Sequence, residues 1–132
     1  MSSNAPLPLP VDVPRTIAPT LDHERLEVYH LALQFHALAS TLVPRRGLRA
    51  VRDQLERASL GVVLCIAEGA GRTASADKRR FYEMARGSAT ESAAVLDVLR
   101  VRGVLDEEAH RRARLLALRL VQMLSRLCGP PR

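Results

Sequence analysis

The sequence predicts an all-α protein, an antiparallel up-and-down four-helix bundle. Three observations predict it. Between Asp22 and Cys128 Pro44 is the single proline. Apolar residues recur through that span at steps of three and four, the period of a helix with one buried face. Glycines at 47, 69, 71, 103 and 129 punctuate the span into four segments. A chain of 132 residues is long enough to bury one core and too short for two. Tryptophan is absent and aromatics make up 3% of residues, so that core must be aliphatic.

The first helix is expected from Asp22, a candidate cap, to Leu42, closed by Pro44 and Gly47. The second starts near Gly47 and carries Leu48, Val51, Leu55, Ala58, Val62 and Ile66 on one stripe, ending at Gly69 and Gly71. Ser75 is a credible N-cap for the third, whose stripe reads Phe81, Met84, Ser88, Glu91, Val95 and Val98 before Gly103. Asp106 opens the fourth, with Ala109, Ala113, Leu116, Leu120, Met123 and Leu127 on its stripe, and Gly129, Pro130 and Pro131 stop it. Domain organisation follows: residues 1–21 form a proline-rich arm expected to be disordered, 22–128 the bundle, and 129–132 a short tail. Five of the eight prolines lie in the first twenty residues.

Long helices joined by short loops bury their stripes by running antiparallel to their neighbours. With the second turn centred on residue 74, Gly61 falls opposite Gly87, where two backbones can approach. Arg57 falls opposite Glu91, and a carboxylate on an apolar stripe demands a partner, so a salt bridge is expected there. Glu68 falls level with Arg80. Helices one and four carry more apolar surface than one stripe needs. Val28, Leu31, Phe35, Leu38 and Leu42 form a second row on the first, beside Leu26, Tyr29 and Leu33, and Leu115, Leu118, Val121 and Leu124 do so on the fourth. An apolar patch of that size points to a subunit interface through Val28, Leu31, Phe35, Leu38, Leu115 and Leu118. A single broad core stripe is the alternative.

The segment from Gln54 to Arg72, QLERASLGVVLCIAEGAGR, followed by FYEMARGSATES from Phe81 to Ser92, resembles the four-helix bundle proteins encoded in intervening sequences of bacterial large-subunit ribosomal RNA genes. The opening LEVYHLAL, Leu26 to Leu33, is also similar to theirs, and the resemblance spans about residues 22–128. It implies an up-and-down bundle assembled as a homopentamer. Distant relatives are accessory proteins of diversity-generating retroelements, so it also implies a partner such as a reverse transcriptase, or RNA or DNA. The AEGAGR motif has a structural explanation as well, since its glycines permit a helix end and a tight turn.

Catalysis is not expected. Glu27 with His30 and Glu107 with His110 make the Glu-x-x-His spacing of di-iron bundles. In this topology the two pairs sit at opposite ends, roughly 20 to 30 Å apart, so they cannot share a metal pair. His36 is expected to be structural. Phosphate-binding, nucleophile-elbow and dinucleotide signatures are missing, and no metal or other cofactor is implied. Cys65 and Cys128 lack CxxC spacing and read as buried thiols of a reducing, cytoplasmic setting. The longest run of apolar residues and glycine, Leu60 to Ala67, is far too short to span a bilayer.

Charge carries the functional expectation. The chain has 20 basic and 14 acidic residues, and Lys78 is its one lysine. Guanidinium groups suit bidentate contact with phosphate or carboxylate. The topology places the first and third connections at one end, gathering Arg45, Arg46, Arg49, Arg52, Arg100, Arg102, Arg111, Arg112 and Arg114. They meet Asp53, Asp97, Asp106, Glu107 and Glu108, which leaves a net of +4. Arg45, Arg46, Arg49, Arg52, Arg111, Arg112 and Arg114 are the expected nucleic-acid contacts, and a cyclic oligomer would repeat them as a basic ring. Few aromatics are available to stack bases, so backbone contact is expected over sequence reading. A solvated arginine face held in salt bridges, on a purely protein-docking module, is the other reading.

Overall fold

The computed structural model describes residues 20–44 and 46–130. After a short 3₁₀ turn at Asp22–Arg25 come four helices: α1 (Glu27–Leu42), α2 (Arg49–Gly71), α3 (Ser75–Val101) and α4 (Glu107–Cys128). Among the described residues there are no strands. Each helix packs on its neighbour in the chain, and α1 closes the ring against α4 without close backbone approach across the diagonals. This is the expected four-helix bundle. Most of the arm, residue 45 and the last two residues lie outside the described residues.

Local chemistry sets the helix ends. The first helix starts later than expected, because Leu26 adopts extended backbone between the 3₁₀ turn and α1. Gly47 and Leu48 both take positive φ, +70° and +52°, so the chain enters α2 through two left-handed residues. The second is a leucine, held there by packing its side chain against the core. Ser75 is the first residue of α3 and Ala74 occupies the cap without a side-chain bond, one residue from the expected position. Gly103 ends α3: Val104 N donates to Leu99 O at 2.9 Å and Gly103 N to Arg100 O at 3.1 Å, both satisfying terminal carbonyls. Asp106 caps α4 as expected, its carboxylate accepting from Ala109 N at 2.7 Å.

The buried face of α2 is the expected one, centred on Leu55, Ala58, Val62 and Ile66. The other three helices are rotated from expectation. On α3 the core takes Tyr82, Ala85, Ala89, Ser92, Val95, Leu96 and Leu99, while Met84 and Val98 are 48% and 46% exposed and Glu91 is exposed. On α4 the buried row is Ala109, Ala113, Ala117, Leu120, Leu124 and Cys128. Ala85, Ala89, Ala113 and Ala117 are almost wholly enclosed. Small side chains on both partners let α3 and α4 approach closely, and Phe35, Leu55, Ile66 and Leu96 fill the remaining interior. On α1 the two expected rows exchange roles: Val28, Leu31, Phe35 and Leu38 are buried, whereas Leu26, Tyr29 and Leu33 are half-buried at its margin.

The interhelix pairs shift accordingly. Gly61 faces Ser88, whose Oγ would lie 3.1 Å from an added Cβ, and Gly87 is exposed with nothing within 4 Å. Glu91 accepts a hydrogen bond from Gln54, one turn from Arg57, so the Arg57 to Glu91 bridge is not formed. Glu68 pairs with Arg72 on its own helix at 3.0 Å, and Arg80 lies over the Phe81 ring instead. The axial register expected from the turn is nearly right. The rotation of α3 about its axis separates these pairs.

Candidate nucleic-acid interface

The 43–48 and 102–106 connections lie at one end of the bundle, where α1 and α3 finish and α2 and α4 begin. Of the expected basic residues there, Arg45 lies outside the described residues. Arg46, Arg49, Arg100, Arg102, Arg111 and Arg114 are exposed, and Arg52 and Arg112 are half-buried. Their acidic neighbours are largely engaged. Asp53 lies 3.8 Å from Arg49, and both side chains are well exposed, which makes the pair weak. Glu108 grips Arg111 through both oxygens, with contacts from 2.7 Å, and raises its pKa further above the ordinary arginine range. Asp97 bonds His110 Nε2 at 2.8 Å, tying α3 to α4, while Asp106 is spent on its cap. Arg52 donates to the Pro44 carbonyl at 3.5 Å.

Five guanidinium groups are left over. Among the described residues, no carboxylate lies within ion-pair distance of Arg46, Arg100, Arg102, Arg112 or Arg114. Arg100 and Arg102 lie outside the seven expected contacts, although their position at the close of α3 was visible in the sequence. The α4 contribution has a further feature: after Glu108 the helix carries Arg111, Arg112, Arg114, Arg119 and Arg126 and no acid. Opposing charge on that helix is confined to its first turn, where it also complements the helix dipole.

The remaining chemistry-bearing side chains serve the fold. His30 Nε2 meets the Glu24 carbonyl at 2.8 Å, and His36 Nδ1 meets the buried Ser59 hydroxyl at 2.8 Å between α1 and α2. Among the described residues, no group of three or more His, Cys, Asp or Glu side chains is placed to hold a metal. Burial raises the Cys65 thiol above its ordinary value, with Glu68 adding to the shift. Burial also raises Cys128, opposed by Arg86 and Arg79. Nor does any described helix have the length and apolar character to cross a membrane.

The AEGAGR segment resolves into packing. A Cβ on Gly69 would come 2.8 Å from Tyr82 Cε1 and 3.2 Å from Phe81 Cβ, so only glycine lets α3 sit this close. Lys78 Nζ then reaches back across the turn to the Gly69 and Ala70 carbonyls at 3.2 and 2.9 Å. It supplies the charge that a helix C-terminus favours. Arg72 and Arg80 lie 4.8 and 4.6 Å from the Phe81 ring centre and cover the junction.

This segment lies within the part of the chain that a known family covers. The family model described as 23S rRNA-intervening sequence protein matches residues 24–126. The chain belongs to that family. The match takes in all four helices almost end to end, including Gly69, Lys78, Phe81 and Tyr82, the residues of the α2 to α3 junction. No curated protein matches the chain in sequence.

Proposed function

We propose that this member of the family is a non-enzymatic, cytoplasmic, oligomeric binding module. In this reading it contacts the nucleic-acid backbone, or a ribonucleoprotein partner such as a reverse transcriptase, through its arginine-rich end. The carrying observation is the set Arg46, Arg100, Arg102, Arg112 and Arg114, exposed or half-buried around two connections without a carboxylate partner among the described residues. Guanidinium groups so placed track phosphates and release counterions. Assembly into a ring, a homopentamer in the proteins it resembles, would multiply the contact by avidity without any new chemistry.

A second reading is favoured by a different observation: Leu115 and Leu118 stand exposed on α4. A protein-docking module without direct nucleic-acid binding would use such residues. Titration with a structured RNA and a single-stranded DNA at about 50 and about 200 mM salt separates the two readings. The wild type should bind and weaken steeply with salt. A variant with Arg45→Gln, Arg46→Gln, Arg49→Gln and Arg52→Gln should lose up to about 3 units of the slope of log affinity against log salt. Equal, weak binding by both proteins at both salts defeats the nucleic-acid reading and leaves protein docking.

A further inference from the structure

Where α1 begins and α4 ends, the seam between them opens into an apolar cleft of about 270 Å³. Leu26, Glu27, Val28, Met123, Arg126 and Leu127 line it. Val28 is almost wholly buried, Met123 is half-buried and Leu127 is 40% exposed. Glu27 is the one Asp, Glu, Lys or Arg on α1. The α4 wall offers Arg126, with Arg119 two turns back on the same helix and no acid after Glu108. The cleft is therefore apolar in the middle, negative on the α1 side and positive on the α4 side.

One segment of the same chain carries the complementary pattern. Residues 1–19, the proline-rich arm, lie outside the described residues. Asp12 and Arg15 are the only Asp, Glu, Lys or Arg among them, with Val13 and Pro14 between. Pro14 disfavours helix at Val13 and biases this stretch toward an extended, polyproline-like course. That course has three residues per turn at about 3.1 Å each, which sets Asp12 and Arg15 on one edge about 9 Å apart. Packed helices have axes about 8 to 10 Å apart, so the two charges match the spacing of the two walls. The point of attachment fits as well. Arg25, two residues before Glu27, donates from Nε to Thr20 Oγ1 at 3.0 Å and holds the end of the arm beside the start of α1. The five residues from Thr20 back to Arg15 span up to about 17 Å when extended.

We infer that the arm straps the α1–α4 seam of its own chain. Val13 and Pro14 fill the cleft, Arg15 lies beside Glu27, and Asp12 lies beside Arg126. Reversing the strap would set like charges together at both walls, so the charges give it one direction and one register. A polyproline segment suits the task because it has little conformational freedom to lose on docking. The tether makes the contact intrachain and independent of protein concentration. Part of the arm thereby gains a seat on the bundle where composition alone predicts disorder. The seat is at the end remote from the arginine-rich connections, so strapping is separable from whatever that end binds.

Methyl nuclear magnetic resonance on the full chain tests the strap. In the wild type, Val13 methyl groups should show nuclear Overhauser contacts to Met123 and Leu127 that persist on dilution. In a mixture of labelled and unlabelled chains those contacts should stay within one copy. Arg15→Glu should weaken docking about fivefold, and adding Glu27→Arg should restore it. Asp12→Arg with Arg126→Glu supplies a second swap on the other wall. Val13→Asp should abolish the contacts, because it sets an unpaired carboxylate in the cleft. All these positions are in the arm or exposed, and circular dichroism should show an unchanged fold. Absence of Val13 contacts in the wild type, or failure of both swaps to restore them in folded protein, overturns the strap. Contacts that arise only between copies also overturn it and give the cleft to the arm of a second chain.

Discussion

Phe35→Ala tests whether the second apolar row of α1 belongs to the core or to a subunit contact. The side chain is 0% exposed within one chain, packed in the central cluster with the aliphatic residues of the other helices. Removing a fully buried phenylalanine forfeits its transfer energy and leaves a cavity, about 3 to 5 kcal/mol together. Against a typical total of about 5 to 15 kcal/mol that is about a fifth of the stability or more. For a bundle of this size it should lower the melting midpoint by roughly 10 to 20 °C. Urea unfolding followed by far-ultraviolet circular dichroism supplies the measurement, with Leu115→Ala as the exposed control. Interpretation requires a protein concentration at which both variants have the same mass. The control should stay within about 0.5 kcal/mol of wild type. A Phe35→Ala protein destabilised by less than about 1 kcal/mol, yet unable to self-associate, would refute burial and return Phe35 to the interface.

Ala113→Leu should destabilise by about 1 to 3 kcal/mol in the same assay, since the site is fully enclosed where α3 and α4 approach; a neutral result would mean the seam is loose. Lys78→Ala should cost about 1 to 3 kcal/mol, because the Gly69 and Ala70 carbonyls lose a charged donor. The loss should appear as faster amide exchange at the C-terminus of α2. Burial holds the folded-state pKa values of Cys65 and Cys128 above 9.0 and that of Tyr82 above 10.0. The unfolded chain therefore ionises first as pH rises, so stability present below about pH 9 should decline above it. Urea midpoints from pH 7 upward should show that fall, and it should flatten in a Cys65→Ser, Cys128→Ser, Tyr82→Phe variant.

Fold class, helix number and most helix ends were legible because proline, glycine and Asp106 act locally. The rotation of α3 was not. The stripe expected on α3, from Phe81 and Met84 to Val95 and Val98, keeps the helical period but passes beside Tyr82, Leu96 and Leu99, which the core takes. The core also takes Ala85, Ala89 and Ser92, small residues whose burial depends on the helices packed against them. That is a property of a pair of helices, invisible in either one alone. The same cause moved the Arg57 and Glu91 pairing, since a rotation of about 100° per residue takes Glu91 off the buried face and removes its need for a buried partner. On α1 both rows were seen. Deciding which was core required knowing where α2 and α4 lie.

The arginine end behaved differently, because it depends on topology rather than rotation. An antiparallel bundle puts its first and third connections together however the helices turn, so Arg46, Arg100 and Arg102 share one end in any rotational register. What the sequence concealed is which arginines are spent within the chain. Arg111 is neutralised by Glu108 one turn away. Arg112 and Arg114 have no such partner among the described residues: Glu108, four residues before Arg112, is taken by Arg111, and no acid follows it on α4. The distinction orders the expected losses. Arg114→Gln should lower the slope of log affinity against log salt by about 1, the loss of one phosphate contact, whereas Arg111→Gln, whose guanidinium is held by Glu108, should leave the slope nearly unchanged. Equal losses would mean that Arg111 leaves Glu108 when the ligand arrives.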